Sequence, residues 1–290
     1  MRVFIAGATG VYGRAVIPRL IARGDQVVAL ARDVASPSPI AEPGVELVRG
    51  DLIQDTPEQL AEAMRGCDAV LHLATAIRPG ATGPDGVNTT GALRTTGTRN
   101  LLAALQIARV PVYLQQSIVM GYIDGGDRWL DETTPFEASA DRAQMVSPVE
   151  EMEGMVRALD PQQVRWCILR GGSFVGPDTA QDAVLDRLRV GTQRVPGDGA
   201  NWVSFIHVED IADATVAALD RAPAGSTYNI TDTPIQNGAY LDRLATLLGV
   251  AAPPRDAEAT RPRSYRCTND AARQALGWEP RVGIWPPPAV

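Results

Sequence analysis

Seven residues near the start of the chain, Gly7-Ala8-Thr9-Gly10-Val11-Tyr12-Gly13, constrain its fold most. They follow the apolar run Val3-Phe4-Ile5-Ala6 and lead into a helical pattern over Val11–Arg23, with Val16, Ile17, Leu20 and Ile21 on one face. A buried strand that turns at glycines directly into a helix leaves free backbone N–H groups at the helix start, which attract a pyrophosphate. A glycine triplet alone is weak evidence, and here the spacing is Gly-x-x-Gly-x-x-Gly rather than Gly-x-Gly-x-x-Gly. The order strand, glycine turn, helix supplies the missing context and predicts a dinucleotide site at the carboxyl edge of a parallel sheet.

The rest of the chain repeats that alternation. Strands are expected at Gln26–Leu30, Val45–Arg49, Ala69–Leu73, Val112–Gln116 and Arg165–Leu169. Helices are expected near Pro57–Arg65, Gly91–Ala108 and Pro148–Leu159. Strands alternating with helices imply right-handed crossovers and an α/β, doubly wound parallel sheet. Beyond Pro177 the rhythm loosens, with strand-like Trp202–Ile206 and Thr227–Ile230 and helical Asp182–Val190, Glu209–Arg221, Tyr240–Leu248 and Asn269–Leu276. The expected division is a dinucleotide-binding domain over 1–177. A smaller carboxyl-terminal region, 178–290, partly interleaved with the sheet, would bind substrate and cover the crevice.

Several strand ends carry candidate ligand contacts. Where the second strand ends, an acidic residue would hold a ribose 2′-hydroxyl, and this chain has Arg32. A guanidinium pairs bidentately with a 2′-phosphate, which favours NADP(H) over NAD. The competing reading is an ordinary exposed arginine opening the loop at Ser36-Pro37-Ser38-Pro39. Arg14 is a second phosphate candidate. Asp51, followed by Leu52, closes the third strand, where its carboxylate would accept the adenine amino group or cap its own turn. Leu73 ends the fourth strand and Ala74 and Thr75 follow it, small residues that let backbone approach a ribose. His72 reads as a core histidine, and the stretch Pro79–Thr90 is irregular. Ser117 ends the fifth strand, with its hydroxyl expected to face the crevice, and Tyr122 is the nearest phenol along the chain.

Composition narrows the partners. The net charge is −7 with scattered basic residues, so nucleic acid and anionic membrane are disfavoured and a small-molecule aromatic or neutral substrate fits better. Three widely spaced cysteines suit a reducing compartment and form no metal-ligand pattern. No apolar run is long enough to span a membrane and the start reads as a strand, so a soluble cytoplasmic protein is expected. All 27 basic residues are arginine, which rules out any mechanism that needs a lysine.

Together, Gly7–Gly13, Gly50-Asp51-Leu52, His72-Leu73-Ala74, Gly97-Thr98-Arg99-Asn100, Ser117, Leu169–Pro177, Phe205–Ala212 and Leu276–Pro280 resemble the extended and atypical short-chain dehydrogenase/reductase superfamily, which holds the NAD-dependent epimerases and dehydratases. The resemblance implies a Rossmann sheet. It also implies cofactor contacts from Gly7, Thr9, Gly10, Val11, Tyr12, Gly13, Arg32, Asp51, Leu52, Leu73, Ala74, Thr75, Gly172 and Phe174, with His207 structural. Family members often dimerise through helices flanking the sheet, so a homodimer is an expectation.

The family's chemistry uses a serine, a tyrosine and a lysine four residues after it, commonly with a glutamate four further on. Anchoring the glutamate on Glu153 puts Met145 in the tyrosine's place and Val149 in the lysine's, while Glu150 or Glu151 as anchor brings in Arg142, Ala143, Val146 and Ser147. Only Ser117 survives. In this combination the chain resembles the atypical, NADPH-dependent angucyclinone ketoreductases, and the resemblance implies reduction of an aromatic polyketide without the usual triad. A phenol on an aromatic polyketide substrate, or solvent, would then supply the proton, with Met120, Met145 and Val149 lining the substrate site. The alternatives are a non-catalytic NADP(H)-binding regulator and a redox-neutral isomerase or cyclase.

Overall fold

The computed structural model describes residues 1–34, 40–76 and 84–286. Its centre is a seven-stranded parallel sheet. In chain order the strands are β1 (Arg2–Ala6), β2 (Gln26–Ala31), β3 (Val45–Arg49), β4 (Ala69–His72), β5 (Val112–Ile118), β6 (Arg165–Gly171) and β7 (Ser226–Ile230). Across the sheet they run β7-β6-β5-β4-β1-β2-β3. Strand order reverses between β1 and β4, and ligands bind at the carboxyl ends of strands beside such a reversal.

Helices cover both faces. On one lie α1 (Val11–Ala22), α7 (Val208–Arg221) and α9 (Asp270–Leu276). On the other lie α2 (Pro57–Ala63), α4 (Thr98–Ala108) and α5 (Ala143–Arg157). The alternation of strand side chains divides the core: Val3, Ile5 and Leu114 pack toward α1 and α7, and Phe4, Val70 and Tyr113 toward α2 and α4. Local chemistry fixes the helix ends. Thr56 and Gln59 form a reciprocal capping box with Pro57 at the first helical position of α2, and α4 stops at Arg109 in the left-handed region, φ 56°.

Three expectations differ from the structure. Helix α5 begins at Ala143 rather than Pro148, because the proline sits in the second turn and costs only one intrahelical bond. The strand expected over Trp202–Ile206 divides at Ser204. Trp202–Val203 pairs antiparallel with Ile235–Gln236, and Phe205–His207 pairs parallel with Ser173–Val175. The long helix near Gly91–Ala108 is three pieces in line: α3 (Pro84–Ala92), a π-helical turn over Leu93–Gly97, and α4. Ser36–Pro39 and the first part of the irregular stretch, up to residue 83, lie outside the described residues.

The carboxyl-terminal third returns β7 to the sheet edge beside β6. It also builds a separate apolar cluster from α6 (Ala180–Arg189) and α8 (Asn237–Leu248), with Leu185, Leu188, Leu241 and Leu244 at its centre. Cys67, Cys167 and Cys267 are buried and unbridged. Among the described residues no helix is long and apolar enough to cross a membrane.

Candidate functional site

The glycine turn sits at the strand-order reversal and is shaped by close backbone approach. Gly7 has φ 94°, and a Cβ there would lie 2.6 Å from the backbone nitrogen of Ala74. A side chain on Gly13 would collide with the Gly7 carbonyl. Only glycine fits at either place. Helix α1 has no side-chain cap and no acidic residue in its first turn, and Thr9 and Gly10 are exposed, so its first N–H groups face open space. That combination fits a pyrophosphate. Tyr12 contributes backbone alone: its hydroxyl pairs with Thr215 at 2.5 Å and its ring meets Phe174 edge-on at 5.4 Å. Gly172 is wedged against the Ser204 carbonyl, where a Cβ would lie 2.6 Å away. Leu73 is buried beside Ala74 and Thr75, which are half-buried.

At the far end of the crevice, a cavity of about 490 Å³ opens over the ends of β2 and β3, lined by Arg32, Arg49, Gly50, Asp51 and Asp55. Ala31 and Arg49 are register partners, so the two arginines flank the same edge. Both are exposed, and neither has a hydrogen bond or ion pair with a described residue. Arg49 carries no sequence motif; the end of the neighbouring strand was the only available signal. Arg14 is committed elsewhere, to Asp178 at 2.7 Å. Asp51 caps its own turn: Oδ1 accepts from the backbone N–H of Ile53 at 2.8 Å and Gln54 at 3.2 Å. Leu52 is a core residue whose carbonyl accepts from Asn100 at 2.9 Å.

The two predicted catalytic hydroxyls are both buried and engaged by partners within the fold. Ser117 is 1% exposed. Strand alternation turns its side chain toward α5, where its Oγ donates to Glu153 at 2.6 Å. Glu153 also pairs with Arg170, itself buried, through Nε at 2.9 Å and Nη2 at 2.7 Å. Burial opposes the charge on Arg170, yet Glu153 holds its guanidinium above the usual range. Tyr122 is fully buried, donates to Asn229 at 2.7 Å and accepts from Arg170 at 2.7 Å. With both hydrogen bonds made inside the fold it serves as a core strut, and burial pushes its phenol above the ordinary range. Gln116, on the opposite side of β5 from Ser117, is half-buried. His72 is buried as expected; its Nδ1 lies 3.0 Å from Gln115, but Nε2 has no partner. Burial, with the charge of Arg94 adding to it, brings the imidazole down to about 4.

The residues expected to line the substrate site do come together. Met120 and Met145, both half-buried, pack on a cluster of Ile118, Val149 and Met152. Val149 is 0% exposed and supports this surface without reaching a ligand. Two polar residues that sequence reasoning missed border it. Arg142 donates through Nη2 to the Met120 carbonyl at 2.9 Å and to the Tyr265 hydroxyl at 3.2 Å. No local motif marks Tyr265, because it arrives from a distant segment whose backbone N–H bonds to Trp202.

Comparison with known proteins agrees with this geometry. The model of the NAD dependent epimerase/dehydratase family matches residues 3–231. The chain is 34% identical to a 3-diazoavenalumate denitrifying reductase from Streptomyces sp. over 309 aligned positions, covering 98% of each chain. It is 26% identical to a 4-hydroxy-2-methyl-3-oxo-4-farnesyl-3,4-dihydroquinoline-1-oxide ketoreductase from Stigmatella aurantiaca, covering 87% of this chain and 75% of that one. Among solved structures, the dTDP-glucose 4,6-dehydratase DesIV of Streptomyces venezuelae, crystallised with NAD, superposes with a TM-score of 0.80 at 23% identity, covering 98% of this chain and 93% of that one. That likeness bears on the fold alone. With its glycine turn, its seven-stranded parallel sheet and a family match over most of its length, the chain belongs to the NAD-dependent epimerase/dehydratase family.

Proposed function

We propose that the protein is an NADPH-dependent ketoreductase acting on an aromatic polyketide of the angucyclinone type, with the proton supplied by the substrate's own phenol or by solvent. One observation carries this: the glycine turn keeps the close backbone approach of a dinucleotide cradle, while the chain has no lysine and, counted back from Glu153, offers apolar Met145 and Val149 in place of a tyrosine and a lysine. The two reductase relatives favour redox chemistry over the sensor and isomerase alternatives. The cofactor, when bound, supplies the hydride.

The chain's own residues orient and enclose. The N–H groups at the start of α1 hold the pyrophosphate, and Arg32 with Arg49 clamps a 2′-phosphate. Met120 and Met145 offer a deformable apolar surface that suits a flat ring system better than a sugar. A phenol adjacent to the reacting ketone has a pKa near 10, and its proximity replaces a positioned protein acid. Residues 178–290 outside β7 form the substrate-covering region of this scheme.

A second reading follows from the denitrifying reductase. Hydride arriving at an aryl diazonium carbon expels N2, and that reaction needs no acid. The test is NADPH oxidation at 340 nm with a panel of hydroxyaryl ketones and one aryl diazo compound, with N2 measured in parallel. Turnover of ketones without gas supports ketone reduction. Gas release with the diazo compound and inert ketones selects the second reading, and binding of NADPH without any turnover removes both.

A further inference from the structure

Two arginines are buried among the described residues, Arg170 and Arg94. Arg170 is neutralised by Glu153. Arg94 is 6% exposed and has neither hydrogen bond nor ion pair with a described residue. Burial alone pushes its guanidinium down to about 10. A buried cation without a counter-charge costs folding free energy, and such groups cluster at sites where a ligand provides the missing charge.

Its position says which ligand. Thr90, Arg94 and Thr98 stand four residues apart, all buried, on one stripe through the π-helical turn. Thr90 accepts from the backbone N–H of Ala76 at 3.1 Å, and the Thr98 hydroxyl lies 3.3 Å from His72 Nδ1. Arg94 lies between them on that stripe, close enough to the last residue of β4 for its charge to act on the His72 imidazole. Nearby His72 is neutral and offers no negative charge. The π-helical turn packs against α5, the helix carrying Met145 and Val149. Arg94 therefore sets a cation near the carboxyl end of β4, beside the strand-order reversal, on an element that packs against the helix carrying Met145 and Val149.

We infer that Arg94 is an oxyanion-binding residue of the crevice, taking the oxygen that gains negative charge when an aryl ketone is reduced, or the neighbouring phenolate that has given up its proton. This rests on the ketoreductase reading and deepens it. It also weighs against a diazonium substrate, whose positive charge a buried guanidinium repels.

The test compares Arg94→Gln and Arg94→Lys with the unaltered protein by three readouts: melting temperature without ligands, Kd for NADPH from nicotinamide fluorescence, and kcat with 1,8-dihydroxyanthraquinone. Arg94→Gln should melt no lower than the unaltered protein, because an uncompensated charge has gone. It should bind NADPH within threefold and lose about 100-fold or more in kcat, the usual effect of removing one oxyanion donor. Arg94→Lys should recover part of that loss. A Gln variant with unchanged kcat overturns the inference, as does one that melts several degrees lower. A tenfold weaker Kd for NADPH at unchanged kcat likewise overturns it and assigns Arg94 to the cofactor. If the unaltered protein binds NADPH and reduces no hydroxyaryl ketone, the ketoreductase reading fails instead, and the ligand-free melting comparison still decides whether Arg94 is an uncompensated charge.

Discussion

Replacing Glu153 by Gln and Ser117 by Ala separates a structural network from a catalytic one. In the protein, the Glu153 carboxylate accepts from Ser117 at 2.6 Å and from Arg170 at 2.7 and 2.9 Å, and lies 2.8 Å from Arg157. Glu153→Gln leaves Arg170 buried beside a neutral amide, and breaking a buried pair in this way costs about 3–5 kcal/mol. Over 290 residues the unfolding entropy is about 0.6 kcal/mol/K, so the melting temperature should fall by about 5–8 °C. Ser117→Ala removes one hydrogen bond to a charged acceptor, about 1.5–3 kcal/mol, or about 2–5 °C. Because that hydroxyl is buried and committed to Glu153, kcat/KM for Ser117→Ala should stay within about threefold. Calorimetry and NADPH oxidation measure the two effects. A Ser117→Ala protein that melts normally but loses about 100-fold in kcat would refute the reasoning, since it would mean that the serine reaches the reacting carbonyl.

Three further outcomes are expected. Arg32→Ala, alone or with Arg49→Ala, should weaken NADPH by about tenfold or more, the worth of a charge-assisted phosphate contact, and leave NADH within twofold, as titration calorimetry would show. His72 titrates near 6.5 in the unfolded chain and at about 4 in the fold, so between those values the unfolded state binds more protons. Its contribution is complete above about pH 6.5 and is lost as the pH falls, amounting to about 3 kcal/mol by pH 4. Urea unfolding of His72→Asn should lack that part of the slope. Tyr265→Phe should keep kcat within threefold, and a loss of two orders of magnitude would place the acid on the protein.

The sheet was legible because buried parallel strands read as continuous apolar runs bounded by turns, and each crossover helix carries its own stripe. The glycine turn was legible for a similar reason: its constraint is local, within reach of a single strand and helix. Side-chain direction at strand ends was not. Whether Ser117 faces α5 or the crevice depends on the alternation of one residue along β5, and Glu153 and Arg170, which hold it, lie 36 and 53 positions away. The lone charge on Arg94 was invisible for another reason. Its burial arises from the π-helical turn and from α5 folding over it, and no sequence pattern distinguishes that arginine from the exposed ones. Tyr122 was chosen for nearness along the chain, whereas the phenol that shares Arg142 with the Met120 carbonyl is Tyr265, delivered by a segment more than 100 residues later.

The central claim is that the substrate or solvent supplies the proton that the family's tyrosine usually gives. Comparing kcat for one hydroxyaryl ketone with kcat for its O-methyl ether, at saturating NADPH and matched binding, tests it most directly. The account predicts that masking the phenol slows reduction by about 10²–10⁴-fold, the span of a positioned general acid, where the substrate is the donor, and that the two rates match and both fall in heavy water where solvent is. Equal rates for the phenol and the ether, unchanged in heavy water, would contradict it.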